Sequence, residues 1–106
     1  MKIVYTVQAR QDLRSIYEYL AYTLQVPDTA GRMAERIMDG VRSLKSMPER
    51  NPLYQDEPWR SQGVRFLPVK KYLVFYTVDS AEKTVFVIRI LYSGRDIRCQ
   101  LEEMAE

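Results

Sequence analysis

The residues best able to do chemistry lie late in the chain. Arg89, Tyr92, Arg95 and Arg98 follow one another at short spacing, with Asp96 beside Arg95. A guanidinium is a planar fork that matches phosphate or carboxylate, and Arg95 follows a Ser93–Gly94 break that frees the backbone, which makes it the leading contact for a target. A local pair with Asp96, or helix capping by Asp96, is the competing role. Arg89 sits inside VFVIRIL, where an unpaired buried cation costs several kcal/mol, so it must reach solvent or meet an acid. It is expected either as an ion pair on the sheet's open face or as a cation displayed there. Lys70 and Lys71, with Arg65 five residues before Lys70, form a second basic group. They are either solvated turn residues or a rim that neutralises phosphates. Tyr72, Tyr76 and Tyr92 can stack on bases, although eight tyrosines in one small domain argue mainly for core and edge packing.

What is missing narrows the chemistry further. The chain has no histidine, the usual general base at neutral pH and the commonest metal ligand. Its one cysteine, Cys99, cannot form an internal disulfide and fits a reducing cytoplasm. Zinc sites of the usual ligand types are therefore excluded, and no cofactor is expected. There is no Gly-rich phosphate loop, no metal-ligand spacing and no nucleophile–base pair, so no catalytic set is assigned. A net charge of +2 is too mild to argue for nucleic acid by itself. No apolar run approaches the roughly 18 residues that span a bilayer, and MKIVYTVQAR lacks the h-region of a signal peptide, so no membrane partner is expected.

These groups need a scaffold, and 106 residues with 46% hydrophobic content suffice for one domain with one core. Residues 3–7 read as a short strand. Ala9, Leu13, Ile16, Tyr17, Leu20 and Leu24 then recur at helical spacing, and Pro27 ends or interrupts that stripe. Asp28 and Thr29 are N-cap candidates for a second helix, whose apolar face carries Ala30, Met33, Ala34, Ile37, Met38, Val41 and Leu44 before Pro48 stops it. The short connection predicts an αα-hairpin. Residues 49–62 form a loop pinned by Tyr54 and Trp59, with Glu57, Arg60 and Arg65 as a cation–π and ion-pair cluster. Strands follow at residues 64–69, 72–78 and 84–91. Pro68 places the first of them at an edge or a bulge, and the apolar faces of 72–78 read as a central strand covered on both sides. Residues 96–103 can add a helical turn. The order β-α-α-β-β-β defines an α+β domain, with the hairpin on one face of an antiparallel sheet and the other face open to a partner.

Four segments taken in order resemble the RelE/ParE superfamily of toxins from type II toxin–antitoxin modules: AxxDLxxIYEYL from Ala9, IxxxVRSLKSMP from Ile37, RFLPVKKYLVFYTVD from Arg65 and VIRILYSGRDIRCQL from Val87. The resemblance spans nearly the whole chain. It implies a growth inhibitor of the plasmid-stabilisation type, neutralised by a cognate antitoxin in a toxin–antitoxin hetero-oligomer. RelE-like members cut messenger RNA on the ribosome, whereas ParE-like members inhibit DNA gyrase. Two positions depart from the nuclease pattern: Leu73 stands where an arginine often follows the aromatic opening the central strand, and Leu101 stands at the place of the C-terminal tyrosine. The ending RILYSGRDIRCQL is similar to that of the ParE side, with Arg89, Gly94, Arg95 and Asp96 at matching positions. The gyrase branch is therefore favoured, with the ribosome-dependent nuclease as the alternative.

Overall fold

The computed structural model describes residues 1–94 and Leu101. In chain order the elements are β1 (Lys2–Tyr5), α1 (Val7–Glu18), a π-helical turn (Tyr19–Thr23), α2 (Pro27–Arg42), two short 3₁₀ turns (Ser43–Lys45 and Pro48–Arg50), β2 (Arg65–Val69), β3 (Tyr72–Asp79) and β4 (Thr84–Tyr92). The fold is α+β, with the helical pair packed on a four-stranded sheet of order β1-β4-β3-β2. Among the described residues no helix is long and apolar enough to cross a membrane.

The sheet is mixed rather than wholly antiparallel: β1 lies parallel to β4, with Ile3 opposite Val85 and Tyr5 opposite Val87. Local alternation fixes which residues share a face but not which strand lies alongside. β2, β3 and β4 pair antiparallel, and β2 lies at the edge, one of the two placements Pro68 allows.

Helix α1 starts at once because Thr6 caps it, its Oγ1 accepting from the Ala9 N–H at 3.1 Å. α2 begins earlier than expected. Pro27 is its first residue, where a fixed φ and a missing N–H suit a helix start, and neither Asp28 nor Thr29 is the cap. Asp28 instead places negative charge in the first turn, favourable to the helix dipole.

Ala9, Ile37 and Val41 from the helices meet Val69, Tyr72, Val74, Val87 and Ile90 of the sheet in the main core. Gly40 lets α2 approach β2 closely: a Cβ there would stand 2.9 Å from Val69 Cγ2. The opposite face is not open in the way the sequence suggests. Trp59, at 2% exposure, packs with Val64, Phe75, Leu91 and Leu101 in a second buried cluster, flanked by Tyr54, Phe66, Leu73 and Ile88. Residues 49–64 therefore roof part of that face. Their backbone is satisfied locally, with Tyr54 N–H donating to Val64 O at 2.7 Å and Val64 N–H donating to Trp59 O at 3.0 Å.

Candidate functional site

The sheet end where β3 starts and β4 stops gathers several of the expected residues. Lys70 and Lys71 form the β2–β3 turn and are exposed, Lys70 in the left-handed conformation at φ 56°. Tyr92 lies directly opposite Tyr72, and their rings meet edge to face with centroids 5.7 Å apart. Ser93 ties the two strands, its N–H and its Oγ each 2.8 Å from Lys71 O. Gly94 leaves room for that ring, since a Cβ there would come within 2.4 Å of the Tyr92 side chain. Tyr92 is 41% exposed, whereas Tyr72 is buried beneath it. The result is a half-exposed aromatic pair with two lysines beside it.

Other expected site residues go elsewhere. Arg65 begins β2 and the lysines follow its end, so the whole strand, about 13 Å from Arg65 to Val69 at ~3.3 Å per residue, separates them. Arg65 Nη1 donates to Glu49 O at 3.0 Å and Asn51 O at 2.7 Å, which makes it a clamp on the loop rather than part of the lysine rim. The cluster expected around Trp59 also separates, because Glu57 instead accepts from the N–H and Oγ of Ser61.

Tyr76 is fully buried and cannot stack on an external base. Its hydroxyl donates to Pro48 O and accepts from Asn51 Nδ2. Burial raises its pKa above the usual 10.0, against opposing effects from the Asn51 hydrogen bond and from Arg65 and Arg50. The phenol therefore stays protonated at neutral pH and holds the loop.

Arg89 is also not displayed: it is 6% exposed. It meets an acid, as a buried cation must, and the acid is Asp12 of α1. Arg89 Nε lies 2.7 Å from Asp12 Oδ2, and Arg89 Nη2 lies 3.1 Å from Oδ1. Sequence reading overlooked Asp12, although a signal was present. Ala9, Asp12, Leu13 and Ile16 follow the i, i+3, i+4, i+7 pattern of one helix face, so an acid among them must be buried and partnered. Arg95, Asp96 and Arg98, and the helical turn expected at 96–103 apart from Leu101, lie outside the described residues.

The family model described as the ParE toxin of the type II toxin–antitoxin system parDE matches residues 3–97. The chain belongs to that family, as a toxin of the type II toxin–antitoxin class.

Solved structures carry the same fold. The chromosomal ParDE system from P. aeruginosa is similar with a TM-score of 0.71 at 24% identity, covering 87% of this chain and 95% of that one. The RelBE2 toxin–antitoxin complex from Mycobacterium tuberculosis is similar with a TM-score of 0.65 at 18% identity, covering 86% and 95%. The YoeB/ParE toxin from Agrobacterium tumefaciens gives 0.62 at 18% identity, covering 87% and 98%. No curated protein matches the sequence.

Proposed function

We propose that this chain is a cytoplasmic growth inhibitor that stalls replication by binding DNA gyrase and is silenced by a cognate antitoxin. One observation favours gyrase over messenger RNA. Arg89, which an acid–base or phosphate-stabilising set would draw on, and Tyr76, which could have stacked on a base, are both buried and engaged in holding the fold. Cleaving RNA at a ribose 2′-hydroxyl needs a proton acceptor together with several donors converging on one phosphate. Inhibiting an enzyme by binding needs only a complementary surface with a few anchors. Lys70, Lys71 and Tyr92, followed in sequence by Arg95, Asp96 and Arg98, are the proposed anchors. The family match supports the ParE side, and the toxin–antitoxin systems among the structural neighbours support an antitoxin partner.

The test is expression of the chain alone and together with the product of an adjacent small gene, alongside incubation of the purified chain with translating ribosomes. Growth arrest that the neighbour relieves, with ribosome-bound messenger RNA left intact, is the expected result. Cleavage of that RNA assigns the chain to the RelE-like nucleases, and unaffected growth removes it from the active toxins.

A further inference from the structure

β4 contains a bulge: Tyr76 is opposite Val87 while Phe75 is opposite Arg89, so Ile88 is the extra residue. The shift decides what the end of the strand presents. Continued from the Tyr76–Val87 pair without the bulge, the register would set Leu91 opposite Tyr72. With it, Tyr92 faces Tyr72, Leu91 reaches the Trp59 cluster and Ile90 joins the helix-side core. A bulge leaves ladder groups without strand partners, and β1 cannot supply them because its pairing stops at Val87. α1 and its N-cap residue supply them instead. Thr6 Oγ1 donates to Ile88 O at 3.2 Å, and Asp12 Oδ2 accepts from the Ile90 N–H at 3.0 Å. The same carboxylate holds Arg89 through two hydrogen bonds and takes a fourth from Gln8 Nε2 at 3.3 Å.

We propose that Asp12 is a positioning residue: with Thr6 it stands in for a missing strand along β4, fixes the bulged register at Ile88–Ile90, and so delivers Tyr92 to the toxin's working surface. The last step rests on the reading that this sheet end meets the target; the register itself does not. The bidentate geometry matters because one group grips the Arg89 side chain and the Ile90 backbone together, and a strand slipped by one residue satisfies neither.

The experiment reads register and toxicity separately. Asp12→Asn keeps the side-chain volume and one acceptor but loses the charge. Asp12→Leu with Arg89→Met replaces the buried pair by apolar groups, an exchange that often leaves stability unchanged. In both purified variants, NMR should show Tyr72 gaining cross-strand contacts to Leu91 at the expense of Tyr92. The Ile90 amide should exchange about tenfold faster or more, as expected when a local opening becomes easier. The double variant should melt within a few degrees of the unaltered protein, by that same volume argument, yet keep the altered register. Growth inhibition should fall in both. If either folded variant retains Tyr72–Tyr92 contacts and unaltered Ile90 exchange, the proposal is overturned. It is overturned equally if neither variant folds, since the pair would then be an element of the core. Altered register with undiminished growth inhibition leaves the clamp standing and instead removes the sheet end from the functional surface.

Discussion

Trp59→Ala separates two views of the sheet's outer face. If that face is a docking platform, Trp59 is a surface anchor and its loss spares stability. The structure instead buries Trp59 to 2% exposure against Val64, Phe75, Leu91 and Leu101, with the Tyr54 ring edge-on at 5.9 Å. Truncating a buried tryptophan costs ~3–5 kcal/mol, from lost transfer energy plus the remaining cavity. Domains of this size have a melting entropy near ~0.22 kcal/mol/K, so that loss lowers the midpoint by roughly 14–23 °C. Total stability for such a domain is about 5–15 kcal/mol, which leaves the variant folded at low temperature or close to its limit. Calorimetry with a parallel urea titration measures both midpoint and slope. A drop under ~5 °C at unchanged slope would show that residues 49–64 do not roof the sheet, and the reasoning from that cluster would fail.

Further expectations rest on separate observations. Ile37→Ala, at a site with no exposure where α2 meets the sheet, should cost ~2–5 kcal/mol by chemical denaturation, while Leu20→Ala, at a half-buried position, should cost less. Gly94→Ala should push the Tyr92 ring off Tyr72, which NMR contacts between the rings will report, and should weaken growth inhibition while the core stays folded. Stability should decline in alkali. Burial raises the Tyr76 and Tyr5 phenols above 10.0, so the folded state binds their protons more tightly; this contribution is whole below pH 10 and is lost as pH climbs through the raised values. Thermal melts from pH 8 to 11 should show that decline, and Tyr76→Phe should flatten it. Removing both Lys70 and Lys71 should slow association with the target by about 3–10-fold at low salt and by less at high salt, as rim charges do.

Much of this architecture was legible because its cause is local. The stripe from Ala30 to Leu44 specifies α2, Pro68 restricts its strand to an edge or a bulge, and the nearly continuous apolar run at 72–78 specifies a strand covered on both faces. Errors arose where the cause is distant in sequence. Nothing near residues 2–5 announces a parallel partner 82 positions away, as in the Lys2–Thr84 pairing. The bulge at Ile88 breaks the alternation, so Ile90 rather than Leu91 follows Val85 and Val87 to the helix side, and Arg89, expected on the open face, meets Asp12 of α1 instead. Tyr76 and Arg65 looked like free polar groups because their acceptors, Pro48 O and the carbonyls of Glu49 and Asn51, are backbone atoms of an irregular loop. Loop carbonyls leave no trace in residue type.

The most direct measurement of the central claim is supercoiling of relaxed DNA by purified gyrase as this chain is titrated in. Stoichiometric loss of supercoiling, reversed by the cognate antitoxin and weakened by Gly94→Ala, is the predicted result. Undiminished supercoiling at an excess of folded chain that still arrests growth would contradict it.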